Sequence, residues 1–331
     1  GEAGVQILDV SNPASAVHLG GFNTSGTAFN LQVEGNWAYV ADGDAGLAIL
    51  DIRNASAPAL VGTLNTGRRV NAVQVSGNYA YLATGGSAII DGGLDIVDIR
   101  NPAAPVRIGR FAAHDGAALG LHVTNEMAFL AKSNAGLVIL DVSNPTGPAL
   151  LGRVAGLGTA RHVRVAGSLA YLACGTDGLN IVDVANPSSP ARLGSLRGRN
   201  AQSVEVDGML AYVTSLDLGL QVIALSSRTR PALVLQYPTA GPARNLYLRG
   251  NSVFVAASQA GLESINLVQQ MQPTLEFNLP ASAYLDGSPL TLESSSNSGL
   301  PTSFRVVSGP GTIVGDRLLL SGTGTLVIRA E

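Results

Sequence analysis

One ten-residue motif constrains this chain more than any other feature, because the chain repeats it along most of its length. The clearest copy, GLNIVDVANP, runs from Gly178 to Pro187. Six further copies begin at Gly4, Gly46, Gly93, Gly136, Gly219 and Gly261. Consecutive copies start 42, 47, 43, 42, 41 and 42 residues apart. A fixed period of about forty residues indicates a repeat architecture.

Each repeat divides into segments that are typical of four short strands. In one copy the alternating run HVRVAG, residues 162–167, meets a tight turn, and SLAYLAC, residues 168–174, runs back. Gly-Asn or Gly-Ser between two such runs is a hairpin signal. The Gly-Leu motif supplies a third strand, and a fourth, such as ARLGSL at 191–196, follows its Asn-Pro turn. Four antiparallel strands per repeat, with no amphipathic helix between them, predict a propeller blade.

The composition agrees with a turn-rich all-β protein and disfavours several classes of partner. Only 13% of the residues are charged, 46% are hydrophobic and 40 are glycine, which favours strands over helices. A net charge of -3 gives no general attraction to nucleic acid. No apolar run is long enough to span a membrane. The single cysteine, Cys174, rules out an intrachain disulfide framework.

The motifs GLxIVDVSNP, PxxLG and GNxAYVAxGxxGL resemble those of the LVIVD-repeat family of bacterial β-propellers, over residues 4 to about 267. The resemblance implies a propeller of four-stranded blades. It also implies an exported protein, or a part of a large surface protein, without one shared chemistry. We therefore expect a bacterial protein with an extracellular or cell-surface location.

The number of blades depends on how the two ends of the repeat array meet. The chain has six hairpins but seven Gly-Leu strands, and residues 4–22 supply third and fourth strands with no hairpin before them. We predict six blades, closed by pairing residues 4–22 with 243–257, which leaves the strand from Gly261 spare. A seven-bladed ring that lacks its first hairpin is the alternative.

The repeat ends near Pro273, so we predict a propeller at 1–268, a linker at 269–273 and a second domain at 274–331. The last segment shows short alternating strands split by Gly, Ser and Pro. Its stretches SGLPTSFRVVSGPGTI and LSGTGTLVIRA resemble the small immunoglobulin-like modules of bacterial surface proteins. The segment is short for such a β-sandwich, so we expect a truncated module and a chain that is part of a longer polypeptide.

An aspartate recurs five residues after the motif glycine in five copies, at Asp9, Asp51, Asp98, Asp141 and Asp183. Carboxylates at one repeat position can be interpreted as a metal or acid–base set. These five, however, belong to different repeats and are spread around a ring. Each precedes an Asn-Pro or similar turn, whose backbone N–H groups a short carboxylate can accept. We predict a structural role in the turn for all five.

The end of the blades where the copies differ most is the candidate binding face. In a four-stranded antiparallel blade, the loop between strands two and three and the loop to the next blade emerge at the same end. Arg161, His162, Arg199 and Arg244 are expected to meet at the mouth of the central channel. The full set of basic and histidine candidates for ligand binding is Arg68, Arg69, His114, Arg161, His162, Arg197, Arg199 and Arg244.

Two interpretations of this basic set stay open. Arginine suits bidentate binding of carboxylate or phosphate groups, which predicts an anionic ligand. Alternatively, the arginines pair as solvated loop charges with nearby aspartates, and such pairs are individually weak. Asp115 belongs to the same loop set as the arginines, and the other loop set at this end supplies Asp42, Asp44, Asp91, Lys132, Asp177 and Asp217.

Other chemical signals are weak. The segment Asp42-Gly-Asp-Ala-Gly46 resembles a calcium loop but lacks its third acidic position and its final Glu. Calcium is therefore a weak candidate, and no other cofactor or metal is predicted. His162 is a candidate general base, although no Ser or Cys nucleophile has a visible partner. Cys174 is predicted to fill a small space where a strand meets a loop.

We expect a non-enzymatic recognition or scaffold module of a larger bacterial protein, which binds a protein or glycan through the variable-loop face. Neighbouring domains of a longer chain are the other expected partners. Two alternatives stay open. One is a structural subunit of an extracellular assembly that pairs through an exposed strand edge. The other is a propeller hydrolase or lyase that acts on an anionic saccharide.

Overall fold

The computed structural model describes residues 1–86, 92–267, 275–278, 289–296, 304–315, 317–322 and 327–330. They belong to two compact units, Gly1–Ile265 and Asn266–Glu331. Antiparallel strands dominate both units, and the predicted all-β fold class is confirmed. The linker predicted at 269–273 and the loop residue Asp91 lie outside the described residues.

The first unit is a succession of small antiparallel sheets. It begins with a two-stranded sheet, the N-terminal pair, formed by β1 (Val5–Asp9) and β2 (Val17–Phe22). Blade 1 contains β3 (Asn30–Glu34), β4 (Trp37–Ala41), β5 (Leu47–Asp51) and β6 (Ala59–Leu64). Blade 2 contains β7 (Val70–Ser76), β8 (Tyr79–Thr84), β9 (Gly92–Asp98) and β10 (Val106–Ala113). Blade 3 contains β11 (Gly120–Thr124), β12 (Met127–Lys132), β13 (Gly136–Asp141) and β14 (Ala149–Val154).

The later blades continue the series. Blade 4 contains β15 (His162–Ala166), β16 (Leu169–Ala173), β17 (Leu179–Asp183) and β18 (Ala191–Leu196). Blade 5 contains β19 (Ala201–Asp207), β20 (Leu210–Ser215), β21 (Gly219–Ala224) and β22 (Ala232–Tyr237). Blade 6 contains β23 (Asn245–Arg249), β24 (Ser252–Ala256) and β25 (Leu262–Asn266), with a 3-10 helix at Ser258–Ala260 between the last two. In blades 1 to 5 the strands pair in chain order from first to fourth, as the repeat predicted.

The hairpin between the first and second strands follows from its two turn residues. A two-residue hairpin turn of the favoured kind needs positive φ, which glycine adopts without strain. Gly35 has φ +57 in blade 1, and the same turn position recurs as glycine in four other blades. In blade 3 Asn125 and Glu126 occupy the turn with φ of 49 and 59.

The hydrophobic core lies between neighbouring blades. In blades 1 to 5 the second and third strands are buried along almost their whole length, which explains their continuous apolar runs. Tyr39 and Ile49 of blade 1, for example, belong to one cluster with Val73 and Leu82 of blade 2. Each blade is therefore stabilised mainly by its neighbours.

The glycine of the PxxLG segment lies against the Asn-Pro turn of the next repeat, which leaves no room for a side chain. A side chain at Gly62 would lie 2.1 Å from the Pro102 carbonyl oxygen of the next blade. The same approach occurs between Gly20 of the N-terminal pair and the Ala55 carbonyl oxygen of blade 1, at 2.5 Å. In the N-terminal pair and in blades 1 to 4, the last strand thus packs so closely on the following turn that only glycine fits.

The predicted closure of the ring is wrong. β1 pairs only with β2 among the described strands, and β24 pairs with β25 rather than with residues 4–22. The strand from Gly261 is therefore the third strand of blade 6 and is not spare. The physical reason is local, because a loop of a few residues, in which the Ala257 N–H donates to the Gly261 carbonyl at 2.8 Å, brings β25 beside β24 at a small entropic cost.

The second unit contains seven short strands among its described residues. These are β26 (Leu275–Asn278), β27 (Leu290–Thr291), β28 (Glu293–Ser296), β29 (Phe304–Ser308), β30 (Gly311–Val314), β31 (Arg317–Leu320) and β32 (Val327–Ala330). They form the antiparallel groups β26–β28, β27–β31–β30 and β29–β32. The immunoglobulin-like fold of this unit stays a prediction.

Candidate ligand-binding site at the channel mouth

The six first strands converge on one cavity at the variable-loop end. Its volume is about 720 Å³. Each blade contributes to the lining one residue that lies just before its first strand or near the start of that strand. These six residues are Phe29, Asn71, Leu119, Arg161, Gln202 and Arg244.

Three guanidinium groups from alternate blades give the cavity its charge. Arg69 comes from blade 2, Arg161 from blade 4 and Arg244 from blade 6. Arg161 and Arg244 are exposed to solvent, and Arg244 donates from Nε to the Ser258 hydroxyl at 2.9 Å. Within the described residues, none of the three forms an ion pair with a carboxylate.

Arg69 is held by an aromatic ring rather than by an acid. Its guanidinium carbon lies 4.2 Å from the centroid of the Phe29 ring, a favourable cation–π contact. Its Nε is buried and has no hydrogen-bond partner among the described residues. A buried donor without a partner is costly, so an acceptor that entered the cavity here would relieve that cost.

The carboxylate in the described lining, Asp115, is already neutralised. It pairs with Lys132, and Arg153 lies 3.7 Å from its second oxygen. Lys132 is fully buried and also donates to the carbonyl oxygens of Gly92 and Ala113, each at 3.2 Å. Asp115 therefore does not balance the three arginines, and the cavity keeps a positive character.

His162 lines the cavity but serves as a clamp between blades. Its Nδ1 accepts the N–H of Val204 on the first strand of blade 5, at 3.4 Å. Burial above all, and then the charge of Arg164, lowers the pKa of His162 to about 4. In the repeat, His162 occupies the position of Asn30, whose Oδ1 accepts the N–H of Val73 at 3.0 Å. The imidazole is neutral, and one nitrogen is engaged.

A second clamp position lies two residues further along the first strand. Gln32 accepts the N–H of Val75 at 2.8 Å, and Gln74 accepts that of Val123 at 2.7 Å. His122 takes the same position in blade 3, and its Nδ1 accepts the Val165 N–H at 3.3 Å. Burial first, then Arg164, lowers its pKa to about 4. Aligning the repeats by their first strands would have identified both histidines as clamps.

Three of the four residues expected at the channel mouth lie in the lining of this cavity. Arg161, His162 and Arg244 line the cavity together, and Arg199 does not. Gln202, six residues before the turn glycine Gly208, holds the repeat position of Arg161 and Arg244 and lines the cavity, whereas Arg199 lies three residues earlier and outside the lining. Arg68, His114 and Arg197 are also absent from the lining, whereas the sequence interpretation missed the polar groups Asn30, Asn71, Gln202, Ser203 and Asn245.

The residue at the end of the second strand differs in every blade and is nevertheless buried. The series is Asp42, Thr84, Lys132, Cys174, Ser215 and Ala257. Asp42 accepts from the Thr24 hydroxyl at 2.5 Å and from the Gly26 N–H at 2.8 Å, so it secures the preceding loop. Burial raises the pKa of Cys174 to about 12. Asp42 and Lys132 are thus internal anchors, although sequence variation had suggested exposed loop charges.

No metal-binding constellation is found among the described residues. Three or more His, Cys, Asp or Glu side chains do not come together anywhere in that part of the chain. The carboxylate of the calcium-like segment, at Asp42, already binds internal donors. Within the same described part, no helix has the length and apolar character to cross a membrane.

The repeated aspartates lie in turns at the other end of the blades. Asp9, Asp51, Asp98, Asp141 and Asp183 each accept the backbone N–H of the residue two positions later, at 2.8–3.0 Å. In two blades an arginine adds an exposed ion pair, Arg53 with Asp51 and Arg100 with Asp98, each 2.5 Å between nitrogen and oxygen. Hydrogen bonds to the carboxylate lower the pKa of Asp9, Asp51, Asp98 and Asp141.

Comparison with known families and structures agrees with the repeated fold of the first unit. The LVIVD repeat model matches residues 1–24, 25–66, 67–113, 115–156, 157–197 and 198–239. These matches span well over half of the chain and coincide with the N-terminal pair and blades 1 to 5. Among curated proteins, no match is found.

Many solved structures share the fold at low sequence identity. A 6-phosphogluconolactonase candidate from Bacteroides uniformis is 14% identical, with a TM-score of 0.62 over 77% of this chain and 88% of that chain. A functionally unknown protein from Desulfotomaculum acetoxidans is 12% identical, with a TM-score of 0.60 over 76% and 86%. The computationally designed Ika8 protein is 12% identical, with a TM-score of 0.58 over 75% and 74%. At these identities the likeness concerns the fold alone.

Proposed function

Because the chain belongs to the LVIVD repeat family, we propose that its propeller is a non-enzymatic recognition module of an exported or cell-surface bacterial protein, and that it binds an acidic ligand at the channel mouth. One observation carries the proposal. Arg69, Arg161 and Arg244 reach a single cavity from three separate blades, and none has a carboxylate partner among the described residues.

The size and the lining of the cavity support one small ligand or one chain end. A volume of about 720 Å³ falls in the range of small-ligand sites. Amide groups of Asn71, Gln202 and Asn245 stand among the arginines, so a ligand with hydroxyl groups beside its acid would find neutral partners as well. A carboxylated saccharide or the acidic end of a peptide matches this chemistry.

The same lining favours binding over catalysis. His162, the histidine of the described lining, has one nitrogen occupied by the Val204 N–H. Cys174 is buried, and its pKa is raised to about 12, which keeps the thiol protonated and unreactive. A hydrolase or lyase on an anionic saccharide would need a base or nucleophile that these two side chains do not supply.

Removal of the exposed arginines tests the proposal directly. We expect the wild-type protein to bind members of a panel of acidic glycans and short acidic peptides in calorimetry. Arg161→Ala and Arg244→Ala should each weaken binding by about 1.5–3 kcal/mol, the value of one charge-assisted hydrogen bond. The affinity should also fall when the salt concentration is raised.

The matched control is Arg53→Ala combined with Arg100→Ala. These two arginines are also exposed, but they pair with turn aspartates at the opposite end of the blades. The control protein should bind as the wild type does. Equal binding by the Arg161/Arg244 double variant, or no binding of the panel by the wild type, would exclude an acidic ligand at this site.

A further inference from the structure

The backbone fixes the orientation of several amide side chains in the wall of the channel-mouth cavity. An amide oxygen accepts hydrogen bonds and an amide nitrogen donates them, so the backbone partner decides which way each group is turned. Asn30, Asn71 and Gln202 line the cavity and bond backbone groups. The atoms that these bonds leave over are the ones that a ligand can use.

Two of these amides have engaged their nitrogen. The Nδ2 of Asn71 donates to the carbonyl oxygens of Gly85 and Ala118, each at 2.8 Å. The Nε2 of Gln202 donates to the carbonyl oxygens of the two preceding residues, at 2.9 and 3.4 Å. An amide nitrogen carries two hydrogens, so both nitrogens are fully engaged. Asn71 and Gln202 therefore offer their oxygens, which are acceptors, to a ligand.

Two other side chains of the lining have engaged their acceptor instead. The Oδ1 of Asn30 accepts the Val73 N–H at 3.0 Å, so its Nδ2 remains as a donor. The Nδ1 of His162 accepts the Val204 N–H at 3.4 Å, so the neutral ring carries its hydrogen on Nε2. Asn30 and His162 occupy the same repeat position, and each offers a donor to the cavity.

Donors and acceptors alternate around the cavity. The two acceptors, on Asn71 and Gln202, belong to blades 2 and 5, and blades 3 and 4 stand between them in the succession of first strands. Each acceptor has an arginine close to it in the fold. Arg69 lies two residues before Asn71 in blade 2, and Arg161 lies in blade 4, which packs on blade 5. Two separate parts of the wall thus combine a cation with an acceptor.

A ligand that carries only acidic groups does not match this pattern. An ionised carboxylate has no hydrogen to donate, so it would leave the oxygens of Asn71 and Gln202 buried without a partner, which is costly. An acidic peptide end donates only through its backbone N–H groups, since its acidic side chains only accept. A hydroxyl group both donates and accepts. A sugar ring carries several hydroxyl groups around its perimeter and can satisfy acceptors in separate blades.

We propose that the ligand of the channel mouth is a uronic acid, a sugar ring that carries both a carboxylate and hydroxyl groups. This inference rests on the proposed function, because it names the class of acidic ligand that the same cavity binds. The carboxylate pairs with an arginine of the wall. The hydroxyl groups donate to the oxygens of Asn71 and Gln202 and accept from Asn30 and His162.

Matched small molecules test the two halves of this chemistry separately. The probes for calorimetry with the full chain are the methyl glycosides of glucuronic and galacturonic acid, which represent a glycan end, and the two free acids. Cyclohexanecarboxylate has the charge and the six-membered ring without hydroxyl groups, and the methyl glycosides of glucose and galactose have the hydroxyl groups without the charge. The better of the two uronides should bind at least about tenfold more tightly than either kind of control.

The comparison of the glycosides with the free acids identifies the source of the ligand. Equal or tighter binding of the methyl uronide assigns the site to the end of an acidic glycan. Tighter binding of the free acid assigns it to the free sugar acid. Either result supports a uronic acid as the ligand.

One substitution isolates the contribution of a hydroxyl acceptor. Gln202→Met keeps the length of the side chain and removes the oxygen. It should weaken binding of the uronide about tenfold and leave binding of cyclohexanecarboxylate within about twofold of the wild type. Equal loss of both ligands would contradict the acceptor role of Gln202.

Reversal of a donor provides a second, independent variant. Asn30→Asp keeps an oxygen for the Val73 N–H but replaces the donor with a negative oxygen, so uronide binding should fall about tenfold or more. His162→Asp makes the same change in blade 4. The matched control is Asn144→Asp in a turn at the opposite end of the blades, where Oδ1 accepts the Thr146 N–H at 3.2 Å. It should change binding less than about twofold.

The outcomes separate this inference from the proposed function. If cyclohexanecarboxylate or an acidic peptide bound as tightly as the uronides, the inference would be overturned and the acidic-ligand proposal would stand. Uronide binding that Gln202→Met and Asn30→Asp left unchanged would have the same meaning. If no acid bound, or if the uncharged glycosides bound as tightly as the uronides, both proposals would be overturned.

Discussion

The two ends of the blades are stabilised by opposite kinds of contact. At the turn end, the end of the repeated aspartates, one exposed carboxylate accepts a backbone N–H two residues away, and five repeats use the same residue. At the mouth end, the buried anchor changes from Asp42 to Lys132 to Ser215. Repetition therefore marks contacts that close within one turn. Variation marks positions whose partners lie in other strands and loops, which differ from blade to blade.

The mouth end should accordingly be the more sensitive end to single substitutions. Asp95, in the middle of the third strand of blade 2, is fully buried and accepts from Nε and Nη2 of Arg110 at 2.6 and 2.7 Å, with Arg107 at 3.6 Å. Arg110 also donates to the Thr66 carbonyl oxygen in the mouth-end loop at 2.9 Å, so Asp95 holds that loop. Asp95→Ala should lower the free energy of unfolding by about 3 kcal/mol, because it removes the buried carboxylate between two arginines. Urea unfolding monitored by circular dichroism measures the effect.

The control for Asp95 is an ion pair at the turn end. Arg53→Ala removes an exposed partner of Asp51, and exposed pairs contribute little. Its unfolding midpoint should stay close to that of the wild type. If both variants lost the same stability, the contrast between the two ends would be wrong.

The histidine clamps should make the free energy of unfolding depend on pH, at pH values above those at which the aspartates titrate. His122 and His162 have pKa values lowered to about 4, whereas the unfolded chain has its usual value near about 6.5. As the pH falls from about 6.5 to about 4, the unfolded state takes up protons first, so the folded state loses stability. The loss should be on the order of 1–3 kcal/mol for each histidine.

The repeat itself offers the control variants for this prediction. Blade 1 has Gln32 and Asn30 at the repeat positions of His122 and His162, and both bond the next blade. The variants His122→Gln and His162→Asn therefore introduce residues that the repeat already uses there. The double variant should keep its folded structure and lose the pH dependence in that window. Glu205, which pairs with Arg164 at 3.1 Å, and the turn aspartates are present in both proteins, so the difference between the two curves isolates the imidazoles. Parallel curves would contradict the clamp role.

The smallest effect is expected at the turn end. Asp141 accepts the Ser143 N–H at 2.9 Å, and this bond lowers the pKa of the carboxyl. Asp141→Ala should lower the Tm slightly at pH 7. Asp141→Asn retains an acceptor, so its Tm should lie between those of the wild type and Asp141→Ala. Because the folded pKa is the lower one, the contribution is present above about pH 4 and lost as the pH falls further. A drop as large as that of Asp95→Ala would contradict this order of effects.

The strand pattern of each blade was predictable because its causes are local. Alternating runs around Gly-Asn fix a hairpin, and the Gly-Leu and Asn-Pro segments fix the next two strands, as the antiparallel ladders of blade 1 show. The closure was not predictable in the same way. Residues 4–22 and the strand from Gly261 have the same motif, so the pattern could not tell which of them pairs with β24.

The site was predictable in part. Arg161 and Arg244 were identified because they precede a first strand, and both line the cavity. Arg199 was assigned to the same place, but Gln202 lines the cavity instead, because it lies six residues before the turn glycine Gly208, as Arg161 and Arg244 do before Gly167 and Gly250. Counting back from each hairpin turn, rather than looking for the nearest arginine, would have identified it.

The sequence by itself determined that this protein is built of repeated four-stranded antiparallel sheets, since glycine turns, β-branched runs and a fixed period act within each repeat. Only the tertiary structure decided which variable residues face solvent and which are internal anchors. Asp42, Lys132 and His162 all differ from their repeat neighbours, yet each is fixed by a partner far away in the chain. Burial and hydrogen bonding between blades depend on distances through space, and a one-dimensional pattern carries no record of them.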